Sequence, residues 1–369
     1  MIIKIPGLID PHVHVREPGG THKEDWDTCT SAALAGGYTT ILAMPNTQPP
    51  VTDENTLQIS LNAAKVKARC DYAQFLGAGP DNLNYLDHLG SKTAGLKMYL
   101  DQTYGQLRLD DMAIWMEHFK RWPKNLPIVA HAEGRSMAAV ILMAAIYDRS
   151  VHIAHISLRE EILLIRAAKE KGIKVTCEVA PHHLFLTTDD IPSIGRGRSE
   201  VRPCLATQAD QDALWGNMDV IDIFATDHAP HTLEEKDGEN PLPGFPGLET
   251  ALPLLLTAVH QGKLPLDELI QKMVTNPRRI FLIPDPLDTW VEVNLDEEFE
   301  ICARNNYSRC GWTPFEGRRV KGRVSRVHLR GIDLFYNQKT IAQPGFGKNI
   351  RSKNNIKTVK RRKNDNLFG

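Results

Sequence analysis

The chain has 369 residues, a formal net charge of −1, 42% hydrophobic and 24% charged residues. These values exclude a small single-core domain, a wholly disordered chain, and a molecule drawn as a whole to nucleic acid or anionic membrane. They leave room for one large barrel with an appendage.

Taken in chain order, "PGLIDPHVHV" (6–15) predicts a buried strand closing on His12 and His14, with Arg16, Glu17 and a Pro-Gly-Gly turn after it. "DWDTCTSAALAGG" (25–37) predicts a helix ending on glycines. "YTTILAMPN" (38–46) is a second strand, closing on Asn46, and "TLQISLNAAKVKAR" (56–69) a second helix with apolar residues three and four apart. "DYAQFLGA" (71–78) and "AGLKMYL" (94–100) are strands, the latter carrying Lys97. After a helix at 109–122, "LPIVAHAE" (126–133) ends near His131. After another at 137–149, "SVHIAHIS" (150–157) ends near His155. The helix 159–172 leads to "IKVTCEVAPHH" (173–183), with Glu178, and "VIDIFATDHAPH" (220–231) carries Asp227.

Eight near-continuous apolar strands alternating with helices indicate an α/β fold with a covered parallel sheet, here a (β/α)8 TIM barrel over residues 1–285. A doubly wound open sheet is the alternative, but no glycine-rich dinucleotide fingerprint follows a strand. Beyond residue 285 the pattern changes to alternation. "TWVEVNLDEEFEI" (289–301) and "RVKGRVSRVHLRGIDLFYNQKTI" (319–341) predict a small antiparallel β subdomain over 286–347, joined by residues 1–5. From Lys348 to Lys363 there are eight Lys or Arg and no acid, so 348–369 is expected to be a basic disordered tail or linker. Nucleic-acid binding or a localisation signal is the sharper reading of that tail; a solvated chain end is the simpler one.

The six cysteines (29, 70, 177, 204, 302, 310) form no C-x-x-C pair and read as reduced thiols of a cytosolic protein. No apolar run reaches the roughly 18 residues of a membrane span. Met1 runs directly into "IIKIPGLID" without the pattern of a signal peptide.

In such a barrel the chemistry sits at the C-terminal ends of the strands, where the unusual residues fall. Alternation projects His12 and His14 to one face, so that the pair can chelate a metal. An isolated H-x-H is more often a pair of hydrogen-bonded core histidines. Four histidines, an aspartate and a lysine at converging strand ends reverse that judgement. Imidazole and carboxylate donors suit an open, catalytic zinc site. Lys97 lies inside an apolar strand, where a charged ammonium is costly. It either pairs with an acid or captures carbon dioxide as a carbamate that bridges two cations.

The stretches "GLIDPHVHVREPGGTHKED", "MPNTQPP", "GLKMYL", "PIVAHAE", "HIAHIS", "EVAPHHLFL", "TDHAPHTLEEK" and "PGFPGLET" together resemble the dihydroorotases of the amidohydrolase superfamily, over about residues 6 to 345. The likeness is strongest to the dihydroorotase domain of animal multifunctional polypeptides. It implies a zinc enzyme interconverting N-carbamoyl-L-aspartate and L-dihydroorotate in pyrimidine synthesis. His12, His14 and Asp227 would hold one Zn²⁺, His131 and His155 a second, and carboxylated Lys97 would bridge them. Asp227 would also carry the proton. Arg16, Asn46 and His231 would clamp the substrate carboxylate, and Arg202, Pro243 and Gly244 would contact its ring. The loop 101–108 would be a mobile lid with Thr103 and Tyr104 at its tip. The resemblance further implies a cytoplasmic homodimer fused to carbamoyl-phosphate synthetase and aspartate transcarbamylase domains.

Two positions depart from the animal pattern. Tyr104 replaces a phenylalanine, and Ala154 stands in "HIAH" where the animal proteins resemble "HICH". Ala154 cannot ligate metal, so a third zinc, which would use Glu178, is expected to be absent or weak. Two rival functions stay open. One is a hydantoinase or dihydropyrimidinase, which would have no carboxylate for Arg16 and Asn46. The other is a catalytically dead scaffold domain, against which all six ligands are present. Glu17 has no assigned role.

Overall fold

The computed structural model describes residues 1–352. β1 (Ile2–Pro6) and β2 (Leu8–Val13) are nearly continuous but belong to different sheets. Gly7 joins them where a Cβ would overlap the Thr39 side chain.

β2 opens an alternation of parallel strands and helices. It continues through β3 (Tyr38–Ala43), β4 (Asp71–Gln74), β5 (Leu76–Gly77), β6 (Leu96–Tyr99), β7 (Ile128–His131), β8 (Val151–Ile153), β9 (Val175–Val179) and β10 (Ile223–Phe224). Nearly every residue of these strands is buried, as a parallel sheet covered by helices requires. β2–β3–β4 form one parallel sheet and β5 to β10 a second, of six strands. Only Phe75 separates β4 from β5. At the other edge Val13 bridges to His228, and the His14 N–H donates to the His228 carbonyl at 2.8 Å.

The predicted helices lie at Trp26–Ala35, Glu54–Lys67, Met112–Arg121, Gly134–Ile146 and Arg159–Glu170. Asp25 and Asp53 accept backbone N–H groups of the first turn of the first two, which fixes where each begins. The helix Ala251–His260 has no counterpart in the sequence reading. It is buried on most of its circumference, so "ALPLLLTAVH" carries no amphipathic period.

The second body is an antiparallel sheet, ordered β1, β11 (Trp290–Glu300), β12 (Arg319–Leu329), β13 (Ile332–Tyr336), β14 (Lys339–Thr340). Val291, Val293 and Leu295 alternate into its core, opposite Val324 and Val327. One boundary moves. Residues 348–352, expected in the tail, pack on the parallel-strand body: Tyr72 exchanges backbone hydrogen bonds with Lys348 and Ile350, whose side chain is buried. Ile350 and the hydrogen bonds of Arg351 to the Phe281 and Leu282 carbonyls give this stretch an anchor that charge counting misses. The rest of the expected tail, 353–369, lies outside the described residues. Among the described residues no helix is long and apolar enough to cross a membrane, and the six cysteines are free thiols.

Candidate active site

The residues singled out by sequence converge at the C-terminal ends of the parallel strands. His12, on β2, and His14, just beyond it, both place Nε2 3.2 Å from Asp227 Oδ1. His131, ending β7, faces His155 across 2.8 Å between Nδ1 and Nε2. The His12 and His155 rings stand 5.2 Å apart, and His12, His155 and Asp227 each present a donor atom to one small volume. Lys97, wholly buried on β6, approaches His12 Nε2 to 3.5 Å. No carboxylate pairs with it at ion-pair distance among the described residues.

Burial dominates the electrostatics. It holds the imidazolium forms of His12, His14 and His155 down, so these rings are neutral and offer lone pairs. It raises the carboxyl of Asp227, against which the charges of His12 and Lys97 pull. It lowers Lys97 to about 8, so that its amine gives up a proton far more readily than an exposed lysine does. His155 Nδ1 has no hydrogen-bond partner among the described residues. A desolvated cluster of this kind, with converging imidazole lone pairs and one carboxylate, fits divalent zinc.

A supporting layer fixes these side chains. Glu178, on β9, binds His12 Nδ1 with Oε1 and His152 Nε2 with Oε2, the latter at 3.1 Å. That leaves Nε2 of His12 for the cluster. Asp10 accepts from the His12 N–H at 3.1 Å and the Thr226 N–H at 3.3 Å, and also binds the Thr226 hydroxyl. It thereby ties β2 to the segment carrying Asp227. Backbone strain collects here: Arg16, His155 and Asp227 are non-glycine residues with φ of 66°, 34° and 47°.

The cavity above the cluster is lined by Arg16, Asn46, Thr103, Tyr104, Arg202, Pro243 and Gly244, all predicted. His231 stands behind Arg16, 3.0 Å from Nη2. Arg16 Nε donates to the Pro230 carbonyl at 3.1 Å, while its buried Nη1 has no partner among the described residues. Strand alternation does not bring Arg16 there. β2 ends at Val13, and a left-handed residue turns the guanidinium inward. Asn46 Oδ1 meets His14 Nδ1 at 2.7 Å, and its Nδ2 donates to the Tyr104 carbonyl at 3.0 Å.

Sequence reasoning missed Lys23. Its buried ammonium reaches the Tyr104 hydroxyl at 3.2 Å, His231 Nδ1 at 3.1 Å and Glu235 at 3.0 Å. Its only sequence signal was its place in "THKED". It also missed His152, Asp10 and Lys236. Glu17 acquires a structural role: it accepts from the Trp26 N–H at 3.1 Å and from Lys67 at 2.6 Å, away from Arg16.

Residues 2–102 match the family model described as Dihydro-orotase-like. The chain is 53% identical to the Multifunctional protein CAD of Squalus acanthias over 95% of its own length, but spans only 16% of that protein. It is 38% identical to a Dihydroorotase of Pyrococcus abyssi, covering 93% of this chain and 86% of that one. Among solved structures, the inactive dihydroorotase-like domain of the Chaetomium thermophilum CAD-like multifunctional protein aligns with a TM-score of 0.82 at 29% identity, over 95% of this chain and 99% of that one. The L-hydantoinase (dihydropyrimidinase) of Arthrobacter aurescens aligns with a TM-score of 0.88 at 24% identity, over 94% and 88%, a likeness of fold.

Proposed function

The chain belongs to the dihydroorotase family of cyclic amidohydrolases, and from that premise we propose that it interconverts N-carbamoyl-L-aspartate and L-dihydroorotate. The observation that carries this reading is the pairing of two features in one cavity: a buried histidine–aspartate–lysine cluster, and beside it Arg16 with a free Nη1. A metal cluster alone serves any cyclic amide. A buried guanidinium at its edge serves a substrate bearing a carboxylate.

In this reading the eight parallel strands act as a closed barrel. His12, His14 and Asp227 would hold one zinc and His131 and His155 the other, with Lys97, as its carbamate, a shared ligand. The neutral Lys97 amine adds carbon dioxide and releases one proton. Bound, the zinc pair would polarise the scissile carbonyl and acidify the attacking water. The chain's own residues do the rest. Arg16, Asn46 and His231 fix the carboxylate, and Arg202 with the Pro243-Gly244 backbone borders the ring. Asp227 takes the proton of the attacking water and delivers it to the leaving nitrogen in ring opening. In ring closure it takes a proton from the carbamoyl nitrogen and passes it to the carboxyl oxygen that leaves as water, the second proton coming from solvent. Thr103 and Tyr104 cover the site. Within a longer multifunctional chain, as in the relatives of which this sequence matches a part, the product would pass between linked domains. A homodimer is part of the same proposal.

The decisive experiment compares turnover of dihydroorotate and dihydropyrimidine by zinc-loaded protein, before and after chelation. Turnover of dihydroorotate, lost on chelation and restored by zinc with bicarbonate, is expected. Turnover of dihydropyrimidine instead would assign a hydantoinase-type enzyme. No turnover of either would favour the scaffold reading, to which the likeness to an inactive domain lends weight.

A further inference from the structure

Lys236 is a lysine with no exposed surface, on a short helix (Leu233–Asp237) that starts two residues after His231. No carboxylate lies within ion-pair distance of it among the described residues. Its ammonium instead donates to three backbone carbonyls: Glu200 at 2.6 Å, Leu242 at 2.9 Å and Gly244 at 3.3 Å. The Phe245 and Trp312 rings stand 5.5 and 5.4 Å away.

An ammonium taken out of water is costly, and dipoles alone offset it only when every N–H is matched. All three are matched here, and the acceptors come from two separate segments. One carries Arg202, whose Nη1 donates to Glu200 Oε2 and the Val201 carbonyl at 2.9 and 2.8 Å. The other carries Pro243 and Gly244, and the Gly244 N–H returns to the Glu200 carbonyl at 3.0 Å. Gly244 has φ +145°, and a Cβ there would overlap the Ala229 carbonyl, so its place is set by close backbone approach. Arg202, Pro243 and Gly244 line the cavity, whereas Lys236 lies one layer behind.

We propose that Lys236 is a positioning residue: its ammonium pins these two segments together and so sets the width of the ring side of the substrate pocket. The claim rests on the dihydroorotase reading for its kinetic part and on geometry alone for its structural part. Without the ammonium, the Leu242 and Gly244 carbonyls lose their donor, the Glu200 carbonyl keeps only the Gly244 N–H, and the segments lose one of the ties that join them. Asp227 is held separately, by its contacts to His12 and His14, and the Ala229 N–H bond to the Phe245 carbonyl is independent of the ammonium.

The test uses the zinc-loaded full chain and its Lys236→Gln and Lys236→Met variants. The expected result is a KM for dihydroorotate raised about tenfold or more, with kcat changed less than about threefold. Metal content should be unchanged, and hydrogen exchange should be faster in residues 199–204 and 240–245. An unchanged KM with unchanged exchange would overturn the proposal. So would kcat, metal content and melting temperature falling together, the signature of a merely structural lysine. In the unmodified protein both segments should exchange at matching rates, as one unit. Clearly different rates would overturn the pin even if neither variant folds. Absence of dihydroorotate turnover in the unmodified protein would overturn the catalytic reading and leave the exchange comparison to decide the pin.

Discussion

At the scale of single residues, burial and hydrogen bonding set what each member of the cluster can do. Asp227 is buried with its carboxyl raised, 3.2 Å from both His12 and His14. Asp227→Asn keeps an oxygen for a metal but cannot carry a proton. It should lose roughly 10²–10⁴-fold in kcat while retaining most of the zinc. Kinetics beside metal analysis checks this, and a near-normal rate would refute the proton-carrier role. Glu178 is fully engaged by His12 and His152, and Ala154 offers no donor. Metal analysis should therefore return two zinc ions per chain, and three tightly held ions would contradict the geometry. Glu178→Gln should weaken zinc binding about 10–100-fold, because it releases the His12 ring from its fixed tautomer. The residues of the cluster were legible in the sequence because metal chemistry restricts residue types. Lys23 and Lys236 were not, because a lysine that hydrogen-bonds carbonyls, a hydroxyl or a ring looks like any surface lysine until burial is known.

At the scale of elements, all eight strand runs and the five helices appear where periodicity placed them, since buried parallel strands and amphipathic helices have distinct patterns. The helix Ala251–His260 was invisible for the opposite reason: it is apolar nearly all round. What periodicity cannot show is how a loop returns to the site. The loop 101–108 is pinned at its base by the Leu109 N–H donating to the Tyr99 carbonyl at 2.9 Å. Its tip rests on Lys23 through the Tyr104 hydroxyl and on Asn46 through the Tyr104 carbonyl. Gly105 lets the chain turn there with φ +110°, and a Cβ would stand 3.2 Å from Asn46 Cβ. Gly105→Ala adds about 1–3 kcal/mol of strain to the closed loop. It should lower kcat/KM for dihydroorotate about 10–100-fold while the melting temperature and zinc content hold. Unaltered kcat/KM would show that the loop does not act as a lid.

At the scale of the whole molecule, one histidine isolates how burial couples folding to pH. His183 is buried, neither ring nitrogen has a hydrogen-bond partner among the described residues, and desolvation lowers it to about 3. In the unfolded chain it titrates near 6.5, so between those values the unfolded state binds one more proton than the folded state. Its neutral burial therefore has no pH-linked penalty above pH 6.5, and stability is lost as pH falls from 6.5 toward about 3. By pH 5 the loss is about 2 kcal/mol. Buried acids such as Asp10, raised to about 7, act in the opposite direction, so the net profile of the wild-type protein does not report on one group. A difference measurement does. His183→Leu removes the titrating ring without stranding a partner, so it should lie within about 1 kcal/mol of wild type at pH 7. At pH 5 it should gain about 2 kcal/mol relative to wild type. Paired denaturant melts at the two pH values decide the matter: parallel losses in both proteins would mean that His183 is solvated or protonated in the folded state, and that its pocket is wet.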